Sequence, residues 1–305
     1  MNKTQQSFRV NTLVIGAGRS GTTSICNMLA RHPEVCYSVI KEVNYFSVPD
    51  LYRRGTSYFH SFFDDCAGKP VVATADTYLM IDYGAIERIH RYNPDMKLIV
   101  MLRDPVDRAY SSYHYSVNYG HHEAYERFTA SIAAEEGIEE EPDVVRRNNV
   151  GHFYAGLYAR HLEQWFKRFD RNRVFILPTR RLKEDPEAAM AELQEFLGLP
   201  NVSIDARRLN VHAVPRSRIL ERAMLNREGG FRRAVRNLVP WFIKRWIIRS
   251  GVVERITRAN RKAAPVPEMD PGEREKAIAY FREDNERLKR LVRVDFGSGD
   301  PGQPR

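Results

Sequence analysis

The chain lacks any long apolar run. Its longest strictly apolar stretch, Leu98-Ile99-Val100-Met101-Leu102, is far too short to cross a bilayer. The start, Met1 to Val10, is polar and holds no apolar leader core, so no secretory signal is expected. Cysteine is scarce. Cys26, Cys36 and Cys66 cannot all pair internally, and their spacing matches no zinc site. The expectation is three reduced thiols in a cytoplasmic protein that needs no metal. Internal repeats and low-complexity tracts are also missing, which excludes solenoids and collagen-like chains.

What is present is ordinary for a globular protein: 305 residues, 43% hydrophobic and 29% charged. A chain of this length buries roughly 75% of its unfolded surface, enough for a core without disulfides. The net charge of +9 speaks for an anionic partner: nucleotide, nucleic acid, acidic glycan or membrane surface. That charge is local. Arg216 to Lys262 holds fourteen Lys/Arg and three Glu, a net of +11, so the remainder is close to neutral.

Strands and helices alternate through the first 110 residues. Leu13-Val14-Ile15 reads as a strand, Thr22 to Arg31 as a helix, Val35 to Ile40 as a second strand and Val71 to Ala75 as a third. Ile81 to Arg91 is helix-like, Lys97 to Leu102 is a continuous buried strand, and Pro105 opens a helix to about Tyr119. This alternation predicts an α/β fold, a mostly parallel sheet between two helical layers. Residues 120–149 are acidic and charge-mixed and are expected to be a mobile insertion over the sheet. A helix over 150–169 would align Tyr154, Leu157, Tyr158, Leu162, Trp165 and Phe169 in one stripe, more naturally core than ligand surface. Val174 to Leu177 reads as a strand, and Asp185 to Leu197 and Asp270 to Val294 as helices.

The segment Gly16-Ala17-Gly18-Arg19-Ser20-Gly21-Thr22-Thr23-Ser24 joins the first strand to the first helix. Backbone N–H groups at such a helix start point at an anion, and the helix dipole favours negative charge there. A bare turn would need fewer glycines. A dinucleotide site fits G-x-G-x-x-G, but the acidic residue that should hold the ribose is misplaced, since Glu34 comes early and Glu42 late. A nucleoside-triphosphate loop has Gly16 and Gly21 at the right spacing, but Thr22 stands where lysine is needed. A third reading puts the cation inside the loop at Arg19, with hydroxyls at Ser20, Thr22, Thr23 and Ser24 around a phosphate-like anion.

In that third form the loop resembles the P-K-x-G-T-[TS] loop of sulfotransferases that use 3′-phosphoadenosine-5′-phosphosulfate, in the bacterial and heparan-sulfate-type branch. Arg19 replaces the usual lysine. A second segment, Arg103-Asp104-Pro105-Val106-Asp107-Arg108-Ala109-Tyr110-Ser111, is similar to that family's R-D-P-x-x-R-x-x-S. The resemblance implies that Arg103 and Ser111 hold the donor's 3′-phosphate. Asp104 also suits a helix N-cap, and Arg108 could pair with it at i, i+4. Lys41-Glu42-Val43-Asn44-Tyr45-Phe46 resembles the stretch whose glutamate is the family's general base, which implies Glu42. A plain Lys41–Glu42 surface pair is the alternative, and His60, His114, His121 and His122 are candidates for the base used in the small-molecule branch. Gly156 to Trp165, Asp185-Pro186 with Phe196-Leu197-Gly198-Leu199, Val214 to Arg218 and Phe281 to Leu288 extend the resemblance, with Arg216 implied as a phosphate ligand. Thr179 departs from an expected glutamate, and Ala73 to Leu79 only loosely follows the family's acceptor-side segment.

The resemblance implies a P-loop-like sulfotransferase domain over 8–215, with a basic helical extension over 216–305 packed on it. The donor would be 3′-phosphoadenosine-5′-phosphosulfate (PAPS), and the product adenosine 3′,5′-bisphosphate (PAP). Gly21 and its neighbours from Ser20 to Ser24 would cradle the 5′ end, with Arg19 and Glu42 catalytic. The acceptor would be a glycan, a lipid or a small molecule, not nucleic acid. The stretch 216–262, with its basic amphipathic Trp241 to Ile248, suits peripheral contact with an anionic membrane. An ATP-dependent small-molecule kinase and a non-catalytic anion- or membrane-binding module remain as alternatives.

Overall fold

The computed structural model describes residues 8–204, 213–215, 261–263 and 266–296. Arg216 and most of the basic stretch, Trp241 to Ile248 included, lie outside the described residues.

Five strands form one parallel sheet: β1 Thr12–Gly16, β2 Val35–Tyr37, β3 Val71–Ala75, β4 Lys97–Leu102 and β5 Val174–Pro178, in the order β2-β3-β1-β4-β5. From β1 the chain crosses to the sheet edge at β2, comes back to β3 beside β1, and then passes to β4 on the other side of β1. The carboxyl ends of β1 and β4 therefore flank a topological switch point, where open α/β sheets bind ligands.

Side chains alternate across the strands. Leu13, Ile15, Leu98, Val100 and Leu102 face one apolar layer, while Val14, Ile99 and Met101 face the other. The second layer is filled by α1 (Thr22–Leu29) and by α10 (Pro186–Leu197). The first is filled by α4 (Tyr83–Tyr92), α8 (Tyr158–Phe166) and an aromatic group around Tyr45, Phe46 and Phe59. The stripe Tyr154, Tyr158, Leu162, Trp165 and Phe169 is buried in that layer, as core. Two short helices, α2 (Pro49–Tyr52) and α3 (Gly55–His60), follow the β2 loop. Helix α5 (Pro105–Tyr119) starts on the Asp104 cap, whose Oδ1 accepts from the Asp107 N–H at 2.9 Å, and ends at left-handed Gly120. Among the described residues no helix is long and apolar enough to cross a membrane.

Several expectations are corrected. β2 stops at Tyr37, because the Ser38 hydroxyl turns the chain by donating to the Ile40 carbonyl at 2.7 Å and meeting Thr74 Oγ1 at 2.7 Å. Residues 120–149 fold into packed short helices, among them α6 (Ser131–Ala134) and α7 (Val144–Val150), with Phe128, Glu135 and Val144 buried. Glu135 is anchored because its carboxylate accepts from the Phe153 and Tyr154 N–H groups at 2.9 and 2.7 Å. The expected 150–169 helix begins only at Tyr158. Phe281 of the C-terminal helix (Pro271–Val292) packs against Gly156, where an added Cβ would lie 2.8 Å from its ring, and residues 154–156 form a 3-10 turn.

The thiols are corrected too. Cys36 and Cys66 form a disulfide with Cα atoms 5.2 Å apart, and only Cys26 is free. The edge strand β2 and the turn before β3 bring the pair together, a proximity that spacing alone hides. The cytoplasmic expectation loses the support it drew from three unpaired thiols.

Candidate active site

β1 delivers its glycine loop to the switch point. Gly16 is required there, since a Cβ would lie 2.8 Å from Met80 Cβ. Gly21, the N-cap of α1, is left-handed at φ 85. The first turn of α1 carries no acidic residue and no side-chain cap. The Ser20 hydroxyl is buried without a hydrogen-bond partner among the described residues. An uncapped helix start, an orphaned hydroxyl and the neighbouring Thr22, Thr23 and Ser24 fit an anion.

Thr179 pins this loop. Its Oγ1 lies 2.7 Å from the Ser20 carbonyl oxygen and 3.0 Å from that of Leu102, so one hydroxyl joins the loop to the end of β4. The residue that departs from the expected glutamate thus has a structural use. The opening helix α9 (Thr179–Glu184) carries it directly off β5.

Arg19 is left-handed at φ 69, which swings its side chain toward α5. Its Nε donates to Ser111 Oγ at 3.3 Å, and its guanidinium lies over the Tyr115 ring at 4.6 Å. Ser111 is buried on the inner face of α5. The two segments singled out in the sequence are therefore in direct contact. Arg103 follows β4 and makes a 3.7 Å ion pair with Asp107, which Arg274 of the C-terminal helix also holds at 2.7 Å. The expected Arg108–Asp104 pair does not form. Arg108 is fully buried instead and donates to the His152 carbonyl, because Asp104 is committed to its cap. Burial lowers the Arg108 pKa, and the nearby charges of Arg19 and Arg103 act in the same sense. Positive charge thus gathers where the glycine loop and α5 meet. β6 (Ala213–Pro215), which pairs antiparallel with β7 (Arg261–Ala263), packs against α5 as well.

The stretch after β2 also reaches the loop. Glu42 is left-handed at φ 65 and its Oε1 accepts from Thr77 Oγ1 at 3.0 Å. Lys41 Nζ sits 3.2 Å from the same Oε1, 3.3 Å from Thr22 Oγ1 and 3.1 Å from Thr23 Oγ1. The expected Lys41–Glu42 pair exists, but the lysine also reaches into the glycine loop, which sequence reading missed. Near them, Asp76 is buried and accepts from Ser47 Oγ at 2.5 Å and from the Tyr78 N–H at 3.1 Å. Burial pushes its carboxyl up to about 7, against the Ser47 hydrogen bond and helped by the charge of Glu42. Three histidine candidates are engaged elsewhere: His60 with the Tyr92 hydroxyl at 2.8 Å, His122 with His152 at 2.8 Å, and His114 against Tyr110. The fourth, His121, packs against Tyr115 and Tyr119 with its Nδ1 3.5 Å from Asn149 Nδ2.

Comparison with known proteins agrees with this geometry. The model of the sulfotransferase domain matches residues 10–214. Human heparan sulfate glucosamine 3-O-sulfotransferase 6 is 28% identical over 200 residues, covering 63% of this chain and 53% of that protein. The bovine bifunctional heparan sulfate N-deacetylase/N-sulfotransferase 2 is 28% identical over 205 residues, covering 61% of this chain and 22% of that protein. The chain thus spans about half of the first relative and about a fifth of the second. A solved sulfotransferase from Alicyclobacillus acidocaldarius shares the fold at a TM-score of 0.67 and 22% identity, over 95% of this chain and 98% of that one. With the domain match spanning well over half of its length, the chain belongs to the sulfotransferase domain family.

Proposed function

We propose that this protein transfers a sulfuryl group from PAPS to a hydroxyl or amine of an acceptor, releasing PAP. The contact that carries the reading is Arg19 Nε to Ser111 Oγ, 3.3 Å, which joins the glycine loop to the helix of the second anion segment. A donor with a phosphate at the 3′ position and an anhydride at the 5′ position needs two neighbouring anion sites on one sheet edge. ATP would leave the second without its ligand.

The loop N–H groups and the hydroxyls of Ser20, Thr22, Thr23 and Ser24 take the 5′ end, with Arg19 beside them. Arg103 and Ser111 take the 3′-phosphate, Arg103 exchanging its 3.7 Å pairing with Asp107 for the stronger anion. The donor supplies the sulfur–oxygen bond that breaks. Glu42 accepts the acceptor's proton as the new bond to sulfur forms, and Thr77 and Lys41 hold its carboxylate in place. The rate gain comes from positioning and fixed charge. The heparan sulfate sulfotransferase relatives support a glycan or small molecule as acceptor. The basic stretch 216–262 would suit an acidic acceptor or a lipid surface.

The test is incubation with isotope-labelled PAPS and a panel of glycan, lipid and small-molecule acceptors. Labelled product with a mass gain of one SO3 supports the reading. PAPS binding without transfer to any class, alongside magnesium-dependent ATP turnover, would favour the kinase alternative.

A further inference from the structure

Arg19, inside the glycine loop, and Lys41, after β2, make different contacts around it. The Arg19 side chain is drawn toward α5, its Nε donating to Ser111 Oγ and its guanidinium lying over the Tyr115 ring. Lys41 Nζ instead bridges Thr22 Oγ1 and Thr23 Oγ1 to Glu42 Oε1 within 3.1 to 3.3 Å. In the proposed reaction the sulfuryl group has to sit between the 5′-phosphate, held at the start of α1, and the acceptor, whose proton goes to Glu42. The Lys41 ammonium joins the start of α1 to the Glu42 carboxylate.

From this we infer that Lys41, and not Arg19, is the catalytic cation that faces the transferring sulfuryl group, while Arg19 serves the nucleotide between its two phosphates. The assignment rests on the transferase reading above and moves a role that the family resemblance gives to the loop cation. Chemically the step balances without a further reagent. The acceptor oxygen or nitrogen forms a bond to sulfur, the bond from sulfur to the 5′-phosphate oxygen breaks, and Glu42 takes the proton. The departing oxygen gains negative charge, which Lys41 meets with an N–H hydrogen bond while keeping its own proton. A lysine suits this place because its three rotatable donors reach loop hydroxyls, base and substrate oxygens in turn, whereas the planar guanidinium of Arg19 is fixed on Ser111 and Tyr115. The side chain of Lys41 is 29% exposed, so shortening it leaves no core cavity.

The experiment compares wild type, Lys41→Met, Lys41→Arg and Arg19→Ala by calorimetric titration with PAP and, without acceptor, with PAPS, followed by turnover. Lys41→Met should bind PAP within about threefold of wild type and PAPS about tenfold more weakly, the loss of one charge-assisted hydrogen bond. Its kcat should fall by about 100-fold, and Lys41→Arg should recover part of that loss. Arg19→Ala should weaken PAP and PAPS alike, by about tenfold. Equal loss of PAP and PAPS affinity in Lys41→Met, or turnover within about threefold of wild type, would overturn the assignment while leaving the transferase reading intact. Failure of the wild type to bind PAP at all would overturn that reading, and the assignment with it.

Discussion

Arg19 Nε donates to the Ser111 hydroxyl at 3.3 Å across 92 positions of sequence. That contact fixes the distance between the glycine loop and the face of α5. In Ser111→Ala the arginine loses its anchor and, on the proposed reading, the 3′-phosphate loses a ligand. PAP affinity should fall by about tenfold with the melting temperature nearly unchanged, since a net hydrogen bond is worth about 1 kcal/mol. Calorimetry beside a thermal melt checks both; an unaltered affinity would remove Ser111 from the site.

Glu42→Gln keeps the shape and both neighbours of the side chain but cannot take a proton. Turnover should drop by about 10²- to 10⁴-fold while PAP binds as before. Full activity in this variant would reject Glu42 as the base and return attention to the histidines.

Asp76 lies buried near Glu42 with its carboxyl raised to about 7 by burial. Between its ordinary value of 3.8 and about 7 the folded protein keeps a proton that the unfolded chain has released. Stability therefore declines as pH rises through that window, and the full penalty stands above it. Asparagine can accept from Tyr78 and donate to Ser47 without titrating. Asp76→Asn should thus show a shallower fall in melting temperature from about pH 4 to about pH 7. Flattening will be partial, because burial also raises Glu135 to about 7. Parallel curves for the two proteins would contradict the account of Asp76.

Helix α8 follows Leu157, an N-cap residue that offers no side-chain cap. The cap comes instead from the C-terminal helix: Asp284 accepts from the Ala159 and Arg160 N–H groups at 2.9 and 3.0 Å. Asp284→Ala should cost about 1–2 kcal/mol and lower the melting temperature by a few degrees. Donor affinity should be retained, because Asp284 touches neither anion segment. A neutral effect on stability would show that this docking contributes little.

The elements that set their own boundaries locally were legible in the sequence. Residues 98–102 form a continuous apolar run, and Pro105 and Gly120 bracket α5. The glycine loop declared itself because close backbone approach at Gly16 and a left-handed Gly21 leave few substitutes. What stayed hidden depends on contacts between distant segments. Lys41 reaches Thr22 and Thr23 across 19 and 18 positions of sequence, a contact that no local spacing announces. Thr179 reads as a departure until β5 is seen two strands from the loop it pins. Cys36 and Cys66 meet at a sheet edge, and α8 begins late because Phe281 needs the space at Gly156.

The central claim is a pair of adjacent anion sites selective for a nucleotide phosphorylated at both 3′ and 5′ positions. Titrating wild type and Arg103→Ala with PAP and with ATP measures that selectivity directly. Wild type should bind PAP at least about 100-fold more tightly than ATP, and Arg103→Ala should lose most of that preference. Equal affinity for the two nucleotides, or a preference that survives Arg103→Ala, would contradict it.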